Sequence, residues 1–284
     1  MHWMIKDLAK ATPLRRALVP FFRRVNPGDI TIRHHWTGER IVLHSFRHKG
    51  YWFHGRERER ESMTLCARLI RDGDVVFDVG GHIGYMALYF ASLVGACGRI
   101  FSFEPASSNL PYIRANVERA THKNVVLVEQ AVGAENGFTT FWAEDLTGQN
   151  GSIIPGYSAV DTTAKSHGVR AQTREVTVEV VTLDSFAGRV GVAPSFAKID
   201  VEGAESLVLR GMGDILAGAR PRIMIEVTNE PERVFETLAG ADYLLFDEKQ
   251  RRVNHRSEFA EAGPNLFAIP AEDSEALRKM SCHE

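Results

Sequence analysis

The sequence predicts an α/β protein built around a doubly wound, mostly parallel sheet. Short β-branched runs alternate with helix-like apolar runs from about residue 74 to the end of the chain, and such alternation is typical of parallel sheets covered by helices. The first of these runs ends at Asp78 and is followed by Gly80, Gly81 and Gly84. Because ligands bind at the carboxyl ends of strands in such sheets, this glycine loop is the first candidate site.

The first 60 residues carry a different pattern. Residues 1–25 contain apolar clusters among basic residues and are broken at Pro13 and Pro20, which indicates short helical pieces. The segments DITIRHHW and ERIVLHSF, separated by TG, predict a β-hairpin. We therefore divide the chain into an N-terminal helical and β-hairpin extension, residues 1–60, and a larger domain, residues 61–284.

The charge of the chain is divided unevenly. The 284 residues have a formal net charge of -2, yet residues 1–60 hold 13 Lys and Arg against 5 Asp and Glu. In residues 1–25, apolar clusters beside basic residues predict either a peripheral membrane contact or packing against the core or in a homo-oligomer. Nucleic acid is not an expected partner, because the whole chain is slightly acidic and carries no recognised binding motif.

Other features of the sequence bear on the compartment. No run of about 18 apolar residues is present, so no transmembrane helix is expected. The three cysteines, Cys66, Cys97 and Cys282, form no CxxC pair, so neither a zinc site nor a disulfide framework is indicated. We expect a reducing, cytoplasmic setting.

The elements of the alternating part follow one another in a regular order. A helix is expected from about Glu57 to Ile70, before the first core strand. The core strands are then DVVFDV, GRIFSFE, NVVLVEQAV, SFAKIDV, RIMIEV, YLLFDE and NLFAIP. The helices between them are YMALYFASLV, NLPYIRANVERA, AESLVLRGM and PERVFETLA. A two-stranded insertion, GFTTFWA and REVTVEVVTL, follows the third strand.

Two classes of cofactor compete for the glycine loop. A dinucleotide site would show GxGxxG, whereas Gly80, Gly81 and Gly84 lack the third glycine at that offset. We interpret these glycines as allowing a ligand to approach the backbone closely; the alternative is a tight turn without a ligand. S-adenosylmethionine has no phosphate, and Asp78 suits its amino-acid end or an ordered water there, while a pyrophosphate would be repelled.

Two further strand ends suit a nucleoside. Glu104 ends the second strand, where a carboxylate can accept the ribose hydroxyls of either cofactor class; a solvated glutamate is the alternative. After the third strand, EQAVG puts Gln130 and Ala131 near the expected adenine edge.

The segment FAKIDVEGAESLVLRG concentrates charge at the end of a core strand. Charged groups in a buried strand are costly unless they are paired, so the cluster indicates either a site or a structural ion network. At this point the sequence resembles the FkbM-type family of S-adenosylmethionine-dependent methyltransferases, over roughly Asp74 to Pro270. The matching pieces are VVFDVGGHIGYMAL, SFEPASSNLPYIRANV, EQAVG, VTLDSF, KIDVEGAESLVLRG, RIMIEV and NLFAIP.

The resemblance implies a class I methyltransferase (Rossmann-like) fold, with seven strands and a reversed last hairpin. It implies S-adenosylmethionine as cofactor, and we place Asn109, in the second matching piece, among the cofactor-binding residues. It also implies methyl transfer to an oxygen, often a hydroxyl of a sugar, glycan or secondary metabolite. One departure is Gly81, where an alanine is more usual.

The catalytic candidates are carboxylates at two strand ends. Asp200 is the first candidate for a general base, with Glu202 close behind, and Glu226 ends the neighbouring strand. Two carboxylates held together raise one pKa, which suits a base. They could instead bind Mg²⁺, although no further oxygen-ligand cluster is evident. Lys198 is expected to neutralise this group.

Smaller questions stay open on the sequence alone. Asp184, in VTLDSF, is either a helix N-cap or a direct participant in the site. A nicotinamide-dependent oxidoreductase and a non-catalytic cofactor-binding module are the alternatives to a methyltransferase. The glycine spacing disfavours the first, and the intact set of acidic strand ends disfavours the second.

Overall fold

The computed structural model describes residues 28–144, 151–155, 173–263 and 265–281. Its strands are β1 (Asp29–Arg33), β2 (Arg40–His44), β3 (Val75–Val79), β4 (Arg99–Phe103), β5 (Val125–Val128), β6 (Ala131–Val132), β7 (Gly137–Glu144), β8 (Thr173–Val181), β9 (Phe196–Ile199), β10 (Arg222–Glu226), β11 (Tyr243–Asp247), β12 (Arg252–Val253) and β13 (Asn265–Pro270). Its α-helices are α1 (Lys49–His54), α2 (Arg60–Leu69), α3 (Tyr85–Val94), α4 (Leu110–Arg119), α5 (Leu183–Val190), α6 (Glu205–Arg210), α7 (Gly213–Ala217), α8 (Pro231–Gly240), α9 (Phe259–Ala262) and α10 (Ser274–Ser281).

The main sheet has the strand order β12-β11-β13-β10-β9-β3-β4-β5. Strands β5, β4, β3, β9 and β10 are parallel, and β13 lies antiparallel between β10 and β11. This is the predicted doubly wound sheet with its reversed last hairpin. The described strands number eight rather than seven, because a turn at Asp247 and Arg251, whose backbone groups bond at 2.9 Å, lets β12 pair with β11.

Apolar side chains cover both faces of this sheet. The middle strands β3, β4, β9 and β10 are almost wholly buried, as expected for parallel strands with helices on either side. On one face, Phe77, Phe101 and Phe103 pack edge to face against Phe186 of α5. On the other, α2 and α3 pack with Phe196 and Phe267. Both layers hold the strand ends rigidly, and the candidate site lies at those ends.

The third predicted strand differs from the expectation. Val125–Val128 pairs with β4, but the chain then leaves the main sheet, and Ala131 and Val132 pair in parallel with β8. The predicted insertion is present as the antiparallel pair β7 and β8, so a small sheet of order β6-β8-β7 forms. The strand is divided because Ala131 packs in the apolar cluster of the insertion, with Phe141 and Val180.

The predicted hairpin is formed by β1 and β2 and packs on the large domain. Ile41 and Leu43 are fully buried, and the Asn116 amide of α4 bonds the backbone of Val42 in both directions, at 2.7 and 3.0 Å. The expected helix begins at Arg60 rather than Glu57, because a 3-10 turn precedes it. Residues 1–25, with their predicted membrane or oligomer contact, lie outside the described residues.

Within the described ranges, no helix is both long enough and apolar enough to cross a membrane.

Candidate active site

A cavity of about 350 Å³ opens at the carboxyl ends of the parallel strands. Gly80, Glu104 and Asn109 line one side of it, and Gln130 and Ala131 lie beside them. We call this the donor side, because the sequence predicts that the methyl donor, S-adenosylmethionine, binds here. Asp200, Glu202, Glu226 and Asn265 also line the cavity, and we call this part the acceptor side, because the sequence predicts that the base for a methyl acceptor lies here. The cavity therefore brings together most of the site residues that the sequence predicted.

The register of the sheet explains why two of the carboxylates are neighbours. Ile199 of β9 pairs with Ile225 of β10, so Asp200 and Glu226 are the next residues at adjacent strand ends. The Asp200 amide donates to the Val79 carbonyl at 3.0 Å, which extends the pairing between β9 and β3 to the edge of the cavity. Because β9 and β10 are parallel neighbours, both acids lie at the carboxyl end of the sheet.

Lys198 contacts residues that belong to β3, the glycine loop and the end of β9. Its side chain is buried, and Nζ lies 3.0 Å from Asp200 Oδ2 and 3.7 Å from Asp78 Oδ1. Nζ also donates to the Gly80 carbonyl at 2.8 Å. The expectation that Lys198 neutralises the carboxylate group fits this geometry, and the lysine also fixes the loop that follows β3.

Asp78 lies under the glycine loop and is not among the residues that line the cavity. It is fully buried, and Ser102 Oγ donates to its Oδ2 at 2.7 Å. Burial raises its pKa, against the lowering effects of Lys198 and Ser102. The contacts seen for Asp78 are structural, because pairing of β3 with β9 places Asp78 beside Lys198. Its contact with the amino-acid end of a cofactor, or with an ordered water there, stays a prediction.

The glycines are required by the protein itself. A Cβ on Gly80, whose φ is +86°, would lie 1.9 Å from the Asp200 carbonyl oxygen. A Cβ on Gly81 would lie 2.1 Å from Ser102 Oγ, and one on Gly84 would lie 3.1 Å from Ile113. The protein's own packing therefore accounts for these glycines, as the tight-turn alternative expected, and the approach of a ligand to this backbone stays a prediction. Only Gly80 of the three lines the cavity.

Glu104 is a buried carboxylate held by three donors. It accepts hydrogen bonds from the His82 amide (2.7 Å), the Ala106 amide (2.8 Å) and Asn109 Nδ2 (3.2 Å). Burial raises the pKa of Glu104 to about 7, and these hydrogen bonds act in the opposite direction. The carboxylate is fixed on the cavity wall, and Asn109 reaches the cavity as its partner.

Glu226 has a different environment. The charge of Asp200 is the largest cause that raises its pKa, followed by burial and by the charges of Glu202 and Glu59, while Lys198 lowers it. Like charges at one site cannot all ionise easily. Glu226 therefore keeps its proton to a higher pH than an isolated glutamate would.

The segment before α2 supplies site residues that the sequence did not reveal. Tyr51, Arg58 and Glu59 line the cavity. The Arg58 guanidinium lies 4.6 Å from the Tyr51 ring centroid and 2.9 Å from the Glu59 carboxylate. They were missed because residues 1–60 carry no family signal, and only tertiary packing brings them to the strand ends.

His82 was missed although it lies inside the glycine loop. It lines the cavity, and its Nδ1 lies 2.9 Å from the Tyr51 hydroxyl. Its φ is +50°, a conformation that non-glycine residues adopt rarely and often at functional sites. A histidine between glycines at a strand end was the available signal.

Asp184 lies away from the cavity and serves as a cap. Its carboxylate accepts from the amides of Asp214 and Ile215, both at 3.0 Å, at the start of α7. The cap of its own helix is Thr182, which accepts from the Ser185 amide at 3.1 Å. The capping alternative is therefore supported, with α7 rather than α5 as the capped helix.

The residues present fit S-adenosylmethionine. The cavity volume is within the range of small-molecule sites, and Glu104 lines it at the strand end where the sequence predicted a ribose contact. His82 also lines the cavity, and its Nε2 is buried without a hydrogen-bond partner among the described residues. The acceptor-side carboxylates suit a cationic sulfonium. In the described ranges, no group of three acidic, His or Cys side chains is arranged to hold a metal ion.

The strand order and this site define a class I, S-adenosylmethionine-dependent methyltransferase. The profile of the Methyltransferase FkbM domain family matches residues 78–256. The chain belongs to the FkbM methyltransferase family, and S-adenosylmethionine is its cofactor.

Particular relatives can be named. The 31-O-demethyl-FK506 methyltransferase FkbM of Streptomyces tacrolimicus is 32% identical over 209 residues, which cover 66% of this chain and 74% of that protein. Methyltransferase 1 of Beauveria bassiana is 31% identical over 157 residues, 50% of this chain and 60% of that protein. A crystal structure of methyltransferase FkbM from Methylobacillus flagellatus has 16% identity and a TM-score of 0.46, and the match covers 69% of this chain and 43% of that one.

Proposed function

We propose that the protein transfers the methyl group to a hydroxyl oxygen of a sugar, glycan or secondary metabolite. The observation that carries this proposal is the Asp200–Glu226 pair on the acceptor side, because a hydroxyl must lose its proton when it is methylated. The name of the Streptomyces relative, which specifies an O-demethyl acceptor, also favours oxygen.

Bound S-adenosylmethionine supplies an electrophilic methyl group. The chain's own task is then to hold the acceptor in line and to take its proton. Lys198 lies 3.0 Å from Asp200, and Glu226 keeps its proton to a higher pH than an ordinary glutamate does. Asp200, which is paired with Lys198, is the member that accepts the hydroxyl proton.

The other groups of the acceptor side suit a polyhydroxylated acceptor. Glu59, Glu202 and Glu226 line the cavity together with Arg58. Carboxylates accept hydrogen bonds from hydroxyls, so several neighbouring hydroxyls of one acceptor can be bound at once. This set of groups orients the acceptor, which is the main contribution that a methyltransferase makes.

The test is methyl transfer from ¹³C-methyl S-adenosylmethionine to sugars, macrocyclic polyols and lipid-linked glycan fractions. We expect an O-methyl signal in the product by NMR. Label on nitrogen or carbon would overturn the assignment to oxygen, and absence of transfer from every hydroxyl acceptor by protein that still binds S-adenosylhomocysteine would favour a non-catalytic module.

Two isosteric variants then test the roles in the pair. Asp200→Asn removes the base, and we expect turnover to fall about 10²–10⁴-fold with binding of S-adenosylhomocysteine retained. Glu226→Gln mimics the protonated neighbour, so it should keep most of the turnover at neutral pH. The reverse pattern would assign the base to Glu226.

A further inference from the structure

We infer that Asn265 is a positioning residue that holds the carboxyl group of Glu226 by accepting its proton at Oδ1. Asn265 lines the acceptor side of the cavity together with Glu226. It lies beyond residue 256, where the part of the chain matched by the family profile ends. Any contribution of this contact to methyl transfer rests on the proposed function, whereas the hydrogen bond itself does not.

The sheet places the two residues directly opposite each other. Strands β10 and β13 are antiparallel, and Glu226 pairs with Asn265 in their register. Directly opposed side chains lie on the same face of a sheet, with Cβ atoms about 4.5–5.5 Å apart. Asn265 is buried and both residues line the cavity, so the two side chains share this part of the cavity wall.

A second glutamate fixes the orientation of the Asn265 amide. On the other side of β13, Glu248 follows Asp247 of β11, which pairs with Leu266. Asn265 Nδ2 donates to Glu248 Oε1 at 3.1 Å, and Ser62 Oγ of α2 donates to the same oxygen. The reversed amide would set its oxygen against the carboxylate oxygen, and neither can donate. The amide nitrogen therefore stays on the side of Glu248.

The amide oxygen of Asn265 is left without a donor. Because β13 lies between β11 and β10, and the two ends of a carboxamide diverge, the oxygen faces β10 when the nitrogen faces β11. Oδ1 is buried and has no hydrogen-bond partner among the described residues. A buried polar atom without a partner is costly, and native structures contain few of them. The open acceptor is thus on the side of β13 where Glu226 lies.

Glu226 can supply the missing donor because it keeps a proton. The charge of Asp200 is the largest cause that raises the pKa of Glu226, followed by burial, so at neutral pH its carboxyl group has an O–H to donate. The other charges that act on this pKa are those of Glu202, Glu59 and Lys198. A hydrogen bond to the neutral form of an acid favours that form, so Asn265 acts in the same direction as Asp200.

The hydrogen bond divides the tasks of the two Glu226 oxygens. The protonated oxygen faces Asn265, and the other oxygen is left to accept a hydrogen bond from a hydroxyl of the methyl acceptor. The carboxyl group is thereby held in one orientation beside Asp200, the proposed base. Asn265 acts on the acceptor through Glu226 and does not itself take part in the chemistry.

The experiment follows the titration of Glu226 by carboxyl ¹³C NMR, with the signal assigned by its absence in Glu226→Gln. Asn265→Leu removes the amide but keeps a side chain of similar size, and we expect the Glu226 transition to move downward by about half to one pH unit. The control is Asn124→Leu, because the Asn124 amide donates to the Gly95 carbonyl at 2.8 Å and Asn124 is not among the residues that line the cavity. It should leave the transition unchanged.

Two results of this comparison would overturn the inference. One is an unchanged Glu226 transition in Asn265→Leu, and the other is an equal shift in Asn265→Leu and Asn124→Leu, which would mean a general loosening of the fold. Because the titration needs neither an acceptor nor turnover, failure of the proposed function would leave its result standing.

A measurement on the unaltered protein gives an answer even if Asn265→Leu does not fold. The side-chain carbonyl ¹³C signal of Asn265, assigned through the backbone of the same residue, should move over the pH range in which Glu226 loses its proton. The reason is that the amide oxygen loses its donor in that range. A carbonyl signal that stays constant while Glu226 titrates would contradict the inference.

Discussion

Two glutamates at strand ends face the same cavity in opposite circumstances. Glu104, on the donor side, accepts three hydrogen bonds from protein N–H groups, and burial raises its pKa. Glu226, on the acceptor side, has the charge of Asp200 as the largest cause of its raised pKa. The donor side therefore holds its carboxylate in place, while the acceptor side keeps its carboxylates under mutual repulsion.

This difference separates a binding task from a chemical one. A carboxylate whose partners are prearranged loses little freedom when a ribose adds to them, so it suits recognition. A carboxyl group whose pKa is raised by a neighbouring negative charge, as that of Glu226 is, is a stronger base than an ordinary carboxylate, which suits proton transfer. Both arrangements occur at the same end of the sheet, because each parallel strand ends there among different neighbouring side chains.

The largest effect is expected from the lysine that joins the two sides. Lys198→Met leaves Asp78, which is fully buried, and Asp200 without their cation, and breaking a buried pair costs about 3–5 kcal/mol. Urea denaturation should report that loss. The control is Lys279→Met, whose partner Glu275 lies 3.0 Å away on the surface; exposed pairs contribute about 0–1 kcal/mol. Similar losses in both variants would show that Lys198 is not the link.

The boundary between the two sides is tested by a glycine. Gly80→Ala brings a Cβ against the Asp200 carbonyl oxygen, whereas Gly73→Ala, at φ +82° against +86° for Gly80, meets nothing within 4 Å. Both variants bear the strain of a positive φ, so their difference isolates the clash. Gly80→Ala should unfold more easily by about 1–3 kcal/mol than Gly73→Ala. Equal unfolding free energies for Gly80→Ala and Gly73→Ala would show that packing against Asp200 does not require a glycine at position 80.

The donor side alone should respond to loss of Glu104. Glu104→Ala removes the acceptor of three hydrogen bonds, and S-adenosylhomocysteine should bind more weakly by about 1–3 kcal/mol. Calorimetry on Glu226→Gln provides the comparison, since that variant should bind the same ligand within about twofold. If both substitutions weaken binding equally, the division of the cavity into two sides is wrong.

The sequence predicted what depends on strand order and on the ends of strands. Alternating strands and helices gave the doubly wound sheet, and parallel neighbours placed Asp200 beside Glu226. These features follow from local sequence patterns and from the general geometry of parallel sheets, so they could be predicted without knowledge of long-range contacts.

Long-range packing determined the features that the sequence could not show. Tyr51 forms a hydrogen bond with His82, 31 residues later in the chain, and no local sequence pattern predicts such a contact. The glycine pattern indicated that an atom comes close to the backbone, but the sequence could not show that the Asp200 carbonyl and Ser102 are among the close neighbours. Nor could the sequence show that Asp78 contacts both Lys198 and Ser102.

The titration of Glu226 tests the central claim most directly. Carboxyl ¹³C NMR of glutamate-labelled protein, with the signal assigned by its absence in Glu226→Gln, follows this group as the pH rises. We predict that Glu226 loses its proton well above the usual glutamate range in the wild type, and that Asp200→Asn, which removes the largest cause of the shift, moves the transition downward. A Glu226 that titrates at the ordinary glutamate pKa in both proteins would contradict the account.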